Sequence, residues 1–139
     1  MKRTMIKFAA IASLALAGTV HAGVSVVANP DVGDVTLSAD EVTALFLAKA
    51  NSVGSVDASP VDQEGNAVRE TFVEEVMGRN ESQMKSYWSR LVFTGKGEPP
   101  QAFSSDAEVL DYVRSNSGAI GYVDSAADTS GTNVVFTLN

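Results

Sequence analysis

The chain has 139 residues, a formal net charge of −7, no cysteine and a single histidine, His21. A chain of this length forms one ordinary domain and is too short for two. Without cysteine it must be held by packing and not by disulfides, and its acidic balance argues against nucleic acid or an anionic membrane surface as a partner.

In chain order, the first element is a leader. Lys2, Arg3 and Lys7 form a basic start, Phe8 to Val20 a mostly apolar stretch, and Val20-His21-Ala22 a short-residue cleavage site, so residues 1–22 are expected to be a secretory signal peptide cut before Gly23. The apolar run is shorter than the ~20 residues a membrane span needs and is interrupted by Ser13, Gly18 and Thr19, so no membrane anchor is expected. The leader holds three of the ten basic residues and none of the 17 acidic ones. Residues 23–139, expected to form a single domain, therefore carry seven basic against 17 acidic side chains, a net charge of −10. A field of that sign slows the approach of free anions too, so any anion site must rest on local geometry.

Val24 to Ala28 is a β-branched run ended by Asn29-Pro30 and reads as a buried strand. Ser38 followed by Glu41 is a capping box, and Val42, Leu45 and Phe46 then recur at helical spacing, which predicts a helix from Ala39 to about Ala48. Asn51 to Gln63 reads as a loop with a short strand near Ser59 to Asp62. After the turn Glu64-Gly65-Asn66, Val68, Phe72 and Val76 recur every four residues and Gly78 supplies a stop, a second helix. Met84, Trp88 and Leu91 share a stripe of a third helix, expected from Ser82 to about Val92 with Ser82 at its N-cap, and the segment Thr94 to Pro100 cannot continue it. Ser105 and Glu108 repeat the capping box and open a fourth helix carrying Val109, Leu110 and Val113. Ala119 to Val123 and Asn133 to Leu138 read as closing strands. Helices alternating with short buried strands predict an α/β fold with a mixed or largely parallel sheet.

Because His21 falls in the leader, residues 23–139 contain neither histidine nor cysteine, which removes the Ser-His-Asp triad, the Cys-His pair and the usual zinc sites. No catalytic residue, cofactor or metal is expected, and the chain reads as a non-enzyme. Ser82 and Lys85 match S-x-x-K without its partner motifs and are expected to be an N-cap serine and a solvated lysine. Gly95-Lys96-Gly97 lacks the continuation of a phosphate loop and reads as a turn with an exposed lysine. The pairs Glu74-Glu75 and Asp57 with Asp62 lack the spacing of a calcium loop. Tyr87, Trp88, Tyr112 and Tyr122 are expected to pack and not to stack on bases, because no basic residues interleave them. The better anion candidate is the turn Gly65 to Arg69, which opens a helix and offers Arg69 for a bidentate contact. The competing expectation is that Arg69 pairs with Glu64 or Asp62.

Several segments in one order carry a resemblance: Val26-Val27-Ala28-Asn29-Pro30, Leu45-Phe46-Leu47-Ala48-Lys49, Arg69-Glu70-Thr71-Phe72, Tyr87-Trp88, Phe93 to Gly97, Pro99-Pro100 and Gly118 to Val123. Together they resemble the phosphate-binding proteins of ABC importers, over Val26 to about Val123. The resemblance implies one lobe of a type II periplasmic binding protein, a mixed sheet flanked by about four helices, and a periplasmic location. It also implies phosphate or a similar oxyanion as ligand, with an ABC permease or another periplasmic protein as partner and a homodimer as a way to supply a second lobe. In that family the helix-opening turn reads Ser-Gly-Thr-Arg and holds the phosphate. The matching residues here are Asn66, Ala67, Val68 and Arg69, so the resemblance carries over Arg69 and, as a hydrogen-bond donor, Asn66. Two readings stay open: weak oxyanion binding at Asn66 and Arg69, or a ligand-free interaction and assembly protein that reuses the lobe as a scaffold.

Overall fold

In the computed structural model, which describes residues 23–139, the run Val24–Ala28 forms strand β1 and is buried along its whole length. A strand apolar on both faces belongs inside a sheet covered on both sides. After a 3-10 turn at Pro30–Val32, the chain forms helix α1 (Ala39–Phe46), a small hairpin of β2 (Ser52–Val53) and β3 (Val56–Asp57), and strand β4 (Ser59–Gln63). Helix α2 (Ala67–Thr71) widens into a π-helical turn over Phe72–Val76, and helix α3 (Glu81–Phe93) follows. Strand β5 (Gln101–Phe103), helix α4 (Asp106–Ser115), β6 (Ala119–Asp124) and β7 (Asn133–Leu138) complete the domain.

The main sheet has the order β5-β4-β6-β1-β7. Strand β4 runs parallel to both β5 and β6, whereas β1 is antiparallel to β6 and β7, so the sheet is mixed, as expected. The two-residue period of a strand divides the core in two. Val24, Val26 and Ala28 of β1, with Ile120 and Tyr122 of β6, face α1, the α2 and π turns, and α3. Val27, Ala119 and Val123 face α4 through Val109, Leu110 and Val113. Gly121 lies on the α4 side of β6, where a Cβ would stand 2.7 Å from Val109 Cγ1 and 3.0 Å from Val61 Cγ2. Among the described residues no helix is long and apolar enough to cross a membrane. The leader expected over residues 1–22 lies outside the described residues.

Local signals place the helix starts. At α1 the box is complete: Ser38 Oγ accepts from the Glu41 N–H and Glu41 Oε1 from the Ser38 N–H. At α4 only half of the expected box forms, because Ser105 Oγ accepts from Glu108 N–H while the Glu108 carboxylate accepts from the backbone N–H of Ser104 instead of Ser105. Helix α3 begins one residue before the expected start, capped by Asn80 and not by Ser82; Asn80 and Gln83 exchange both bonds of a capping box. The amide side chains of Asn and Gln thus do what a Ser/Glu pair does elsewhere.

The short hairpin and β5 are additions to the sequence reading. Strand β5 is three residues long and mostly exposed, with no alternation to announce it, and it exists because β4 offers it a parallel edge.

Gly118, just before β6, sits at φ +73°, and a Cβ there would come within 2.0 Å of the Asp57 carbonyl oxygen. Replacement by alanine combines left-handed backbone strain with a clash against backbone. Gly118→Ala is expected to lower unfolding free energy by about 3 kcal/mol, read as a shift in urea midpoint at unchanged m-value.

Candidate functional site

Strand β4 ends in two polar residues that are buried: Asp62 is 8% exposed and Gln63 is fully inaccessible. Buried polar groups must be paired, and here the partners come from β6, from α4 and from α2 with its N-cap. Gln63 Nε2 donates to the Tyr122 carbonyl and to Asp106 Oδ1, both at 2.8 Å, while Gln63 Oε1 accepts from Asn66 Nδ2 at 2.8 Å. The Asp62 carboxylate accepts from the Tyr122 hydroxyl, from the Gln63 N–H and from the Arg69 guanidinium.

The turn at residues 64–66 then starts α2. Asn66 is its N-cap, with Oδ1 accepting from the Arg69 N–H at 3.0 Å, and its Nδ2 also reaches the Ser104 carbonyl at 3.3 Å. Both ends of the Asn66 amide are therefore engaged within the protein. Arg69 lies one turn into the helix with its side chain 16% exposed. Its Nη1 is bound to Asp62, while Nε and Nη2 donate to the two Glu81 oxygens at 2.9 and 2.7 Å, a bidentate pair. The Glu81 carboxylate, 60% exposed, sits at the first position of α3.

The structure joins Asn66 to the backbone N–H of Arg69, and of the two expected carboxylate partners it pairs Asp62 with the arginine. Glu81 was not foreseen: it is twelve residues beyond Arg69, across the π turn, and no local spacing links them. Tyr122 and Gln63 likewise join the network only through the sheet. The hydrogen bonds to Glu81, followed by the Asp62 charge, hold the Arg69 guanidinium above its ordinary range against the opposing effect of burial. The same bonds hold the Glu81 carboxyl below its ordinary range. Burial first, and the Asp62 charge second, push the Tyr122 phenol up.

Asp62, Arg69 and Glu81 border a groove of about 520 Å³ that is also lined by Glu64, Lys85, Trp88 and Pro100, whereas Asn66 borders, with Arg69, Glu70 and Glu81, a separate hollow of about 470 Å³. The charged lining of the groove is three carboxylates, Asp62, Glu64 and Glu81, against Arg69 and Lys85. Ser82 does not join Lys85 here; it opens with Arg79 and Arg90 onto a different groove. The backbone of Gly95 and Lys96 closes the end of α3, with Gly95 N–H donating to Val92 O at 3.1 Å and Lys96 N–H to Leu91 O at 2.8 Å, so these amides are not free to cradle a phosphate. Among the described residues no group of three or more acidic, His or Cys side chains could hold a metal ion.

A scan against protein-family models and a search of curated proteins both find no match. Solved structures do match in fold. A protein from Clostridium perfringens described as a phosphate ABC transporter substrate-binding protein, solved with bound phosphate, superposes with a TM-score of 0.62 at 16% identity, covering 82% of this chain and 44% of its own. An ABC-type phosphate transport receptor from Vibrio cholerae gives 0.56 at 14% identity, covering 83% and 46%. PstS from Borrelia burgdorferi gives 0.55 at 12% identity, covering 85% and 49%. The chain spans slightly less than half the length of each, and its α/β fold is that of one lobe of such a binding protein.

The two ion pairs of Arg69 differ in burial and so in weight. Removing Arg69 leaves the Asp62 carboxylate largely buried without its cation, and Arg69→Ala is expected to cost about 3 kcal/mol in chemical denaturation. Glu81→Ala is expected to cost less than about 1 kcal/mol, since water screens its exposed carboxylate. Because the folded-state pKa of Glu81 is lowered, its contribution is complete at neutral pH and is lost as the pH falls through that lowered value. Stability measured against pH should therefore show a slightly shallower acid limb in Glu81→Ala than in the parent.

Proposed function

We propose that this chain is an exported, non-catalytic lobe of the solute-binding type that meets phosphate or a related oxyanion weakly at Arg69 and Asn66, by exchange with the carboxylate of Glu81. The observation that carries the reading is the bidentate pair on Arg69: a planar, two-oxygen anion already occupies the guanidinium fork, and phosphate presents the same chemistry to it. Two of the solved structures that share the fold are described as phosphate-transport proteins, a substrate-binding protein and a receptor, and the first of them was solved with phosphate bound. Export into the periplasm rests on the leader pattern of residues 1–22.

Weakness follows from the exchange. A bound oxyanion gains the contacts that Glu81 gives up, with Asp62 and Glu64 remaining on one side of Arg69 and Glu70 on the side shared with Asn66, in a domain of net charge −10. The expected dissociation constant is on the order of 1 mM or weaker. A transporter's permease is the natural partner for a lobe that delivers a solute.

A second reading is favoured by a separate observation. Both polar ends of Asn66 and the whole guanidinium of Arg69 are engaged inside the protein, as suits a periplasmic interaction or assembly module that keeps the lobe as a scaffold and binds no solute.

Calorimetric titration with phosphate and sulfate at low salt separates the two. Under the first reading Glu81→Ala binds at least about tenfold more tightly than the parent, because the internal competitor is gone, and Arg69→Lys, which keeps a charge beside Asp62 but loses the fork, abolishes the gain. No saturable heat with either anion in both the parent and Glu81→Ala would sink the oxyanion reading and leave the second.

A further inference from the structure

The C-terminal end of α3 leaves a large apolar side chain uncovered: Phe93 is 90% exposed and its neighbour Val92 is 53% exposed. Scattered small apolar residues on a surface need no explanation, but a phenyl ring held out in water beside a second apolar residue is the mark of a contact surface. These two residues border a shallow groove of about 480 Å³ with Trp88 and Pro99.

Beside it lies an apolar slot of about 160 Å³, lined by Leu45, Phe46, Ala58, Pro60, Trp88 and Pro100 among others. A cavity of ~150 Å³ with such a lining holds a benzene-sized group. The slot is therefore of the right size and chemistry for one phenyl ring. Trp88 lines both features, so an apolar knob and an apolar hole lie side by side on one face. That is the arrangement a two-fold interface requires, in which one residue meets a second on the partner and the second meets the first.

Charge agrees with shape. Residues 79–96 carry Arg79, Lys85, Arg90 and Lys96 against the single acid Glu81, whereas the remaining described residues carry Lys49, Arg69 and Arg114 against 16 acids. Lys85 lines the groove beside the knob and Lys96 follows Phe93 by three residues, in a chain that is otherwise strongly anionic, and Glu98 is among the residues lining the slot. An acid in the lining favours a ring with basic neighbours and disfavours one with acidic neighbours.

We propose that a second copy of this chain docks on this face, each copy inserting its Phe93 into the Leu45, Phe46, Pro60 and Trp88 slot of the other, with Lys96 brought toward the second copy's Glu98. This does not depend on whether Arg69 binds an oxyanion.

Sedimentation equilibrium of the purified protein, from about 1 μM to about 1 mM, tests it. The expected result is reversible monomer–dimer association that Phe93→Asp weakens by at least about tenfold, the equivalent of 1.4 kcal/mol. Phe93 is exposed in the monomer, so the variant should fold with an unchanged circular dichroism spectrum and melting temperature. Trp88 is the only tryptophan, and its emission should shift with concentration in the parent and stay constant in Phe93→Asp. A monomer throughout the range, dimerisation of Phe93→Asp as tight as the parent's, or open-ended growth would each overturn the reciprocal pairing.

Discussion

The carboxylate of Asp62 is the constraint around which this half of the molecule is arranged. It stands at the carboxyl end of β4, between β5 and β6 in the sheet, with almost no access to water. An ionised carboxylate in such a place must be met by donors or it destabilises the fold. Tyr122 supplies one from the neighbouring strand and Arg69 supplies a charge from the following helix. Tying Arg69 to Asp62 fixes the direction in which α2 leaves the sheet, and the rest of the guanidinium then fixes the start of α3 through Glu81. Gln63 makes the same kind of join on the other side, linking β4 to β6, to Asp106 at the start of α4 and to Asn66.

The aromatic core sits directly beneath this network. Phe72 stacks on Tyr122 with ring centroids 3.8 Å apart, and Phe46 meets Phe72 edge-on at 4.9 Å. The π turn that carries Phe72 and Val73 widens the helix so that Phe72, Val73 and Val76 all reach the core. Tyr122 thus belongs to both layers: its ring packs while its hydroxyl satisfies Asp62. The arginine at the helix entrance is in this way a part of the structural frame, and any anion that used it would have to take it from partners that already hold it.

The electrostatics of the whole domain point the same way. With a net charge of −10 over residues 23–139, free anions are repelled at long range, and of the basic stretch on and around α3 only Lys85 lines the groove that contains Arg69. An anion fork that is filled from within, in a domain that repels anions at a distance, is poorly suited to the capture of a scarce anion.

The helices and the central strands were legible in the sequence because their causes are local. Ser38 with Glu41 and Ser105 beside Glu108 mark helix starts by chemistry within one turn, and the buried run of β1 shows its position in the sheet by having no polar face. The same locality made Asn66 and Arg69 visible as a helix-opening pair. It also misled at Ser82, where Asn80 and Gln83 form the cap in its place, and it gave no sign of β5, whose three residues become a strand only by lying against β4.

The sequence by itself determined the composition of the site, the absence of histidine and cysteine from residues 23–139 and the pattern of elements. What tertiary structure alone decided is the state of Arg69. Whether an arginine is free or paired depends on which carboxylates the fold carries to within about 3 Å of it, and Glu81 arrives there from beyond a π turn that no periodicity in the sequence announces. The exposure of Phe93 is settled in the same way, since a helix stripe shows which side chains share a face but not where the neighbouring elements stop covering it.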